Sequence, residues 1–529
     1  MKLHKLAEKI DEKVSSKRFI QALLSPAVVS FFYGLFLFLY EIQFVRKAIS
    51  PVHFLLIGWA ALVIAYNVAI RQIWKKIPGW YFLALFIVSA LITAVINRET
   101  GIVGNIKSWV MVSLPVCLFY PVCLQGDEKT RQKRILAVLS GAAVVVFLAS
   151  AISLWMYIAR FSQDVRLWGQ FEPIGIRFAD VNGVTSIILF GIFVDPNHAA
   201  AYALFFSVYS VMLLTACMKR VFRRTWVNVL GAVFAVVNLA VQICYFPLAN
   251  SRGAWLSLIA AGLISGYLYL YCSKVKIRTR ILKAIVSMAL SLVMVSSVYV
   301  GAMGIRSGLS YLSVWLNTEP TVYLQEVSTE AIEVPAEQEV STEAIEIPAE
   351  QEVSAEVTAE PVYQEVIVPV EVETDSFEKQ DDGTGSGRLV IWKDALELFV
   401  KKPIFGFGPG NNKYFAAKLN VAQVKIAGGA DVHNSYLDLL VDYGVIGAGC
   451  MLAFWVGSLI NVLKKVFNKK VCKEAGYYLA VFCVLTASCA SMFLSCIFVS
   501  TTAMYYVMLI MAGYIVCQPP AKTEKEPQK

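Results

Sequence analysis

Residues 129–160 read KTRQKRILAVLSGAAVVVFLASAISLWMYIAR, and this stretch decides the fold. Four basic residues stand among its first six positions, whereas Ile135–Ala159 contains no charged residue. A helix needs about 20 apolar residues to cross the hydrocarbon core of a bilayer. Backbone groups in lipid must be satisfied within the segment, which makes a helix the expected form. The stretch therefore predicts a transmembrane helix whose basic end lies in the cytoplasm.

The rest of the chain repeats this pattern. Of its 529 residues 57% are hydrophobic and 16% are charged, and the mean hydropathy is +0.62. Soluble domains have about 45–50% apolar and about 25% charged residues. The sequence thus predicts an all-α integral membrane protein of about twelve transmembrane helices. The expected spans lie near 23–41, 52–70, 79–96, 102–124, 135–159, 198–217, 226–247, 253–272, 282–302, 436–463, 475–495 and 500–518.

Connections rich in lysine and arginine alternate along the chain with connections that are poor in charge. The N-terminal tail, the loops near 71–76, 129–134, 219–224, 274–283 and 464–473, and the C-terminal tail are basic. Connections such as Asn97–Gly101 and Asn250–Arg252 are poor in charge. Because cytoplasmic loops carry an excess of Lys and Arg, we expect both termini in the cytoplasm. The net charge of +9 is then an orientation signal, and no nucleic-acid partner is needed to explain it.

This orientation divides the chain into five parts and places two larger segments outside. One is Arg160–Asn197, and the other is a large extracytoplasmic loop between helices 9 and 10. The parts are a cytoplasmic tail (1–22), helices 1–9 (23–303), the loop (304–435, with an acidic repeat at 326–375 and a motif-bearing part at 385–435), helices 10–12 (436–518) and a second cytoplasmic tail (519–529).

A tandem repeat occupies the middle of the large loop. Residues 326–338 read EVSTEAIEVPAEQ and recur almost unchanged at 339–351. Repelling glutamates and one proline in each copy disfavour long helices, so we interpret the repeat as a flexible spacer. An acidic arm for a cationic partner or Ca²⁺ is the alternative, but the repeat lacks the alternating Asp/Asn and the Gly of a calcium loop.

The composition changes after the repeat. Arg388, Trp392 and Lys393 lie about one helical turn apart, and Leu389, Ala395, Leu396 and Phe399 give the same stretch an apolar side. The pattern predicts an amphipathic helix at the outer membrane surface. It ends at Pro403, before a glycine-rich run that includes Gly408 and Gly410. Such a run can present backbone N–H groups to an anion, although it is also common in plain turns.

Two further residues stand near the outer interface. His433 precedes the tenth helix, where a lone histidine is commonly a cap or a hydrogen-bonding residue. Arg252 begins the eighth helix, where a lone arginine is usually a snorkelling anchor. Its place in a charge-poor outer connection makes that interpretation less satisfactory, because the orientation rule disfavours a cation there.

The motifs SR (251–252), SGRLVIWKDALELFVKKPIFGFGPG (386–410) and HNSYLDLLVDYGVIG (433–447) together resemble the O-antigen ligase/polymerase family of membrane glycosyltransferases. DPN at 195–197 resembles a further element of that family. The resemblance implies a GT-C-like fold and transfer of a glycan from an undecaprenyl-diphosphate carrier. The acidic repeat is a departure, and the basic residue usual shortly before DPN is not evident, Arg177 being too distant to assign.

The resemblance implies roles for nine residues. As catalytic residues, Arg252 and Arg388 would hold the diphosphate and His433 would act at the acceptor. The remaining candidates are substrate-binding residues: Trp392, Gly408, Gly410, Asn434, Asn197 and His198. The family implies no metal and no cofactor. This agrees with the chemistry, because the guanidinium fork suits phosphate and a neutral imidazole accepts a proton near pH 7.

The expected partners are the lipid-linked glycan donor, a glycan, lipid or wall-anchored acceptor, and membrane lipids. The motifs leave ligase and polymerase open, since both use the same donor. A transporter or flippase of lipid-linked oligosaccharide is the alternative from another class. That class predicts charged or broken helices at mid-membrane and internal repeats; Lys107 is the one clear basic residue inside a predicted span. A non-catalytic scaffold would leave the conjunction of Arg252, Arg388 and His433 unexplained.

Overall fold

The computed structural model describes residues 2–124, 127–167, 170–181, 184–273, 277, 279–317, 388–419, 432–467, 475–498 and 502–516. The acidic repeat and the second cytoplasmic tail lie outside these residues. The structure is 81% helical, which confirms the predicted helical membrane class. Its helices are α1 Lys2–Ser15, α2 Arg18–Leu23, α3 Pro26–Tyr40, α4 Gln43–Ile49, α5 Val52–Ala69, α6 Trp80–Ile96, α7 Ile102–Leu118, α8 Glu128–Ile158, α9 Pro196–Met218, α10 Thr225–Leu248, α11 Arg252–Cys272, α12 Arg280–Asn317, α13 Arg388–Lys401, α14 Asn412–Leu419, α15 Ser435–Phe467, α16 Ala475–Ala490 and α17 Ala503–Val516.

Among the described residues, eight helices are long and apolar enough to cross a membrane: α5, α7 with the turn that follows it, α8 to α12, and α15. Four shorter apolar helices, α3, α6, α16 and α17, fall on the remaining predicted runs. The predicted spans thus all coincide with apolar helices. The number of helices that cross the membrane remains a prediction.

Two helices extend well past their predicted ends. Helix α8 has 31 residues and α12 has 38, which at 1.5 Å per residue gives about 46 and about 57 Å. The hydrocarbon core measures about 30 Å. The ends of the two helices are bonded together, with Tyr157 Oη and Ser310 Oγ 2.8 Å apart and Asn317 Nδ2 donating to Ile158 O. Helix α12 thus continues past the predicted boundary at 303/304 to Asn317, and the place where its membrane-spanning part ends remains a prediction.

The outer segment after α8 adds a small sheet to the predicted all-α fold. Its strands β1 (Ser162–Leu167), β2 (Gln170–Val181) and β3 (Val184–Gly191) pair antiparallel in the order β1-β2-β3. The sheet is held close to α8, because Ser153 Oγ accepts from the N–H of Ile192. A side chain at Gly191, whose φ is +64°, would meet Ser153 Oγ at 2.0 Å. This close approach directs the chain from the sheet into α9.

Helix α15 is interrupted at Gly444, whose φ of 61° and ψ of −172° are not helical. The segment between α13 and α14 fills the interruption. Val445 N–H donates to Pro403 O and Ile446 N–H to Ile404 O, while Phe407 and Gly408 donate to the carbonyls of Val441 and Asp442. Irregular backbone at membrane depth needs protein partners of this kind. The motif-bearing segment is therefore built into the helical bundle.

Candidate functional site

The connection between α16 and α17 joins the sequence motifs. Ser435, at the start of α15, donates from Oγ to Leu494 O at 2.7 Å and accepts from the N–H groups of Cys496 and Ile497. Its own N–H donates to Ser491 O. We call residues 491–498 the hinge segment. Ser435 is completely buried, so these bonds fix the hinge segment against the residue that follows His433 and Asn434.

The Arg388 side chain and the start of α11, which carries Arg252, both lie against the hinge segment. The Arg388 guanidinium lies 5.9 Å from the ring centroid of Phe493. A side chain at Gly253 would meet Phe493 Cβ at 3.5 Å, so the start of α11 lies against the same ring. Ser251 caps α11 by accepting from Ala254 N–H. Arg388 and the backbone next to Arg252, which are far apart in sequence, thus lie at one point of the bundle.

The electrostatics of Arg388 reflect this convergence. Burial is the largest effect and lowers the pKa of its guanidinium, Asp195 acts in the opposite direction, and the nearby charge of Arg252 lowers the pKa further. Asp195 also accepts from the N–H of Asn197 at 2.6 Å as the cap of α9. Asp195 thus offsets part of the repulsion between the two like charges, and an anionic ligand would offset it further.

The DPN element lies beside the arginines and brings in a residue that the sequence analysis missed. The side chain of Glu41 accepts from Tyr202 Oη at 2.8 Å, and its second oxygen lies 3.7 Å from Nδ1 of His198. Backbone bonds from Val194 N–H to Glu41 O and from Gln43 N–H to Ile192 O hold the two chain segments together. The available signal was a lone carboxylate directly after the first apolar run.

His433 adopts a left-handed backbone, with a φ of 53°. Asn434 follows as the cap of α15, and its Oδ1 accepts from the N–H groups of Tyr436 and Leu437 at 3.0 and 3.2 Å. The side-chain oxygen of Asn434 therefore accepts hydrogen bonds from the protein itself. Its predicted role toward substrate would rest on the amide nitrogen and remains a prediction.

Helix α13 coincides with the predicted amphipathic helix and packs one side against the protein. Ile391, Ala395 and Leu398 are buried, whereas Leu389 and Leu396 are exposed. Trp392, on the adjacent turn, has a buried indole Nε1 with no hydrogen-bond partner among the described residues. An oxygen-rich ligand could accept from this donor, in keeping with the predicted role of Trp392.

Three N–H groups of the glycine-rich run form hydrogen bonds within the protein. The N–H groups of Gly406, Phe407 and Gly408 donate to protein carbonyls, those of Lys402, Val441 and Asp442. These bonds are those of a docked turn, and the substrate-binding role of Gly408 remains a prediction. Gly410 has a φ of +80° with open space around its Cα, and its predicted role is not tested by these bonds.

Side chains of α6 and α7 hold the same run from the other side. Asn97 is completely buried, donates to Gly406 O at 3.1 Å and accepts from Lys402 Nζ at 2.9 Å. Thr93 Oγ1 donates to Phe405 O, and Asn411 Nδ2 donates to Asn105 Oδ1. This network orients α13, and with it Arg388 and Trp392.

Residues 237–452 match the family model described as O-antigen ligase. Over these residues the chain is similar to the O-antigen ligase family. The match confirms the resemblance drawn from the motifs and includes Arg252, Arg388 and His433. Among curated proteins, none matches the chain. The matched O-antigen ligase region ends within α15 and excludes Glu41, Asn197 and His198, which the fold brings to the same place.

Two other sequence candidates lie apart from this cluster. Arg177, considered as the basic residue before DPN, is exposed on β2 and pairs with Asp164 at 3.0 Å. Lys107 is exposed on α7, 5.6 Å from the ring of Phe54. Besides Arg252 and Arg388, Arg306 of α12 lies near the start of α11. It donates to Asn250 Oδ1 at 3.0 Å, and Asn250 stands two residues before Arg252. Within the described residues, no group of three or more His, Cys, Asp or Glu side chains is arranged to hold a metal ion.

Proposed function

We propose that the chain transfers or polymerises a glycan from an undecaprenyl-diphosphate carrier onto an acceptor hydroxyl, at the outer face of the cytoplasmic membrane. The family match supports glycosyl transfer in general. The proposal rests on one observation above all: Arg388 and the start of α11, which carries Arg252, both lie against Phe493. The alternation of basic and charge-poor connections supports placing this end of the bundle outside and both termini in the cytoplasm.

The arginines would bind the diphosphate leaving group. The acceptor oxygen forms a bond to the anomeric carbon while the bond from that carbon to the phosphate oxygen breaks, and the electron pair leaves with undecaprenyl diphosphate. Negative charge grows on the diphosphate as this bond breaks. Cations fixed in a partly buried site stabilise that charge more strongly than water does. Two guanidinium groups can thus supply the positive charge that the reaction needs.

His433 would take the proton of the acceptor hydroxyl. A neutral imidazole at the start of α15 has the required basicity near pH 7. Ser435 fixes this end of α15 to the hinge segment, against which Arg388 and the start of α11 also lie. Base and phosphate-binding groups are thereby held by one piece of backbone. Attack opposite the diphosphate would invert the anomeric configuration.

The test is release of undecaprenyl diphosphate by purified protein in nanodiscs, supplied with lipid-linked oligosaccharide in the presence of EDTA. We expect His433→Ala to lower turnover by about 10²–10⁴-fold and Arg388→Ala by about 10²–10³-fold. Arg388→Lys should recover only part, because an ammonium lacks the bidentate fork. Arg177→Ala, an exposed arginine of the outer sheet, is the matched control and should retain wild-type turnover.

The products separate ligase from polymerase, because a polymerase lengthens the lipid-linked glycan and a ligase moves it to another acceptor. Full turnover in Arg388→Ala and His433→Ala would refute the assigned roles. No turnover by folded wild-type protein, together with movement of lipid-linked oligosaccharide across vesicles, would favour transport instead. The interruption of α15 does not itself favour a transporter, because residues 403–408 of the protein occupy it.

A further inference from the structure

An apolar cavity of about 300 Å³ lies at the end of α6 away from Thr93 and Asn97. Ligand sites in proteins measure roughly 300–1,000 Å³. Helices α3, α5, α6 and the end of α7 form its walls, with Val63, Ile64, Leu83, Ala84 and Leu118 among the lining residues. The catalytic candidates lie at the other end of the helices. This cavity therefore does not belong to the site described above.

The mouth of the cavity carries aromatic and cationic side chains. Trp74 and Trp80 line it, with ring centroids 4.1 Å apart in an edge-on arrangement. Tryptophan is enriched at the level of lipid headgroups. Lys75 and Lys76 are both exposed on the same short turn, and Lys75 Nζ lies 5.3 Å from the Trp74 ring centroid. The turn thus carries two exposed positive charges next to a residue that lines the apolar cavity.

The nearby Arg71 does not add to this charge. It forms an ion pair with Asp11 of α1 at 3.0 Å, and Tyr66 Oη donates to the same carboxylate oxygen. These bonds attach the N-terminal helix to the end of α5. Lys75 and Lys76 therefore provide the net positive charge of the turn.

A single polar side chain in the cavity wall lacks a partner on one atom. Asn67 is 6% exposed, and its Nδ2 donates to the carbonyls of Val63 and Leu24. Its Oδ1 accepts no hydrogen bond from the described residues. Buried polar atoms are normally satisfied. A hydroxyl-bearing ligand that enters the cavity would supply the missing donor.

We propose that the cavity binds an anionic phospholipid with a glycerol headgroup. One acyl chain fills the cavity, the phosphate lies at Lys75 and Lys76, and a headgroup hydroxyl donates to Asn67 Oδ1. Lipid tails have no general preference for an apolar groove over other lipid tails. Selectivity must therefore come from the headgroup, which the two lysines and Asn67 recognise. This binding does not depend on the proposed glycosyl transfer.

Native mass spectrometry of delipidated protein tests the proposal, with phosphatidylglycerol, phosphatidylcholine and undecaprenyl phosphate as the three probes. We expect preferential retention of phosphatidylglycerol. Replacing Lys75 and Lys76 together by alanine should weaken that retention by about 10–30-fold, given the usual attraction of a lysine to an anionic surface. The matched control replaces Arg223 and Arg224, an exposed basic pair in another loop, and should change it little.

A second pair of variants addresses the cavity itself. Ala84→Phe fills it and should abolish retention, whereas Ala84→Ser leaves it open and should preserve retention. Three results would overturn the proposal: equal retention of both phospholipids by the wild type, unchanged retention after loss of both lysines, or an equal loss in the Arg223/Arg224 control. Preferential retention of undecaprenyl phosphate would do so as well, since the occupant would then be a polyprenyl chain.

Discussion

Replacing Gly444 by alanine tests the way in which the motif-bearing segment is fixed. The backbone of Gly444, with a φ of 61° and a ψ of −172°, lies in a region that only glycine readily adopts, and strain there costs about 1–3 kcal/mol. An added Cβ would lie 2.3 Å from Ile404 O and 2.7 Å from the amide nitrogen of Phe405. Since both are backbone atoms, the inserted segment must move.

The movement would break the four backbone hydrogen bonds between α15 and residues 403–408, which measure 2.8–3.3 Å. Each contributes about 1 kcal/mol net, so with the backbone strain we expect a loss of about 5–7 kcal/mol. The apparent Tm in detergent should fall by at least about 5 °C. Turnover should fall as well, because this segment orients Arg388.

Gly449 supplies the matched control for this experiment. It lies on the same helix, and a Cβ there would meet nothing within 4 Å. Gly449→Ala should keep the wild-type Tm or raise it slightly, because alanine is the better helix former. If Gly444→Ala matched Gly449→Ala in both Tm and turnover, the insertion of residues 403–408 into α15 would not be what holds the site.

Three further predictions concern side chains around the site. Asn97→Ala should lower the apparent Tm, because Gly406 O and Lys402 Nζ each lose their hydrogen bond to Asn97, at a cost of about 1–3 kcal/mol. An unchanged Tm would contradict the view that these bonds hold the glycine-rich run in place. Glu41→Gln should lower turnover by about tenfold or more at unchanged Tm, because the charged acceptor facing His198 and Tyr202 is lost; wild-type turnover would exclude Glu41 from the reaction. The hydrogen bond from Lys418 lowers the pKa of Glu99. The Glu99 carboxylate therefore stabilises the packing of α14 at pH values above 4.5, the ordinary pKa of glutamate. This contribution is lost as the pH falls through the lowered pKa of Glu99. The Tm difference between wild type and Glu99→Gln should accordingly be small at neutral pH, because the pair is exposed, and should vanish in acid; a difference that grows in acid would contradict the assignment.

The apolar runs determined the helices. An uncharged stretch such as Ile135–Ala159 has no way to satisfy its backbone in lipid other than as a helix, and each predicted run corresponds to an apolar helix. The amphipathic pattern of α13 and the family motifs could also be recognised from short stretches of the sequence. Local pattern could not show that α12 continues to Asn317, because the residues that support its last turns belong to α8.

The site itself depends on contacts between distant segments. The sequence identified Arg252 and Arg388 as separate motifs, but the packing of α11, α13 and the hinge segment brings Arg388 and the start of α11 to the same residue, Phe493. Glu41 has no motif of its own and becomes significant only because a backbone bridge brings it to His198.

The glycine-rich run shows the same limit. Its glycines indicated a close backbone approach, but glycine permits approach to an anion and to another backbone equally well. Only the interruption of α15 at Gly444 decides that the N–H groups of Phe407 and Gly408 donate to protein carbonyls. The sequence by itself therefore determined the helices and the chemical groups, because both follow from local composition. The tertiary structure decided which groups meet, because hydrogen bonds between distant segments are fixed by packing.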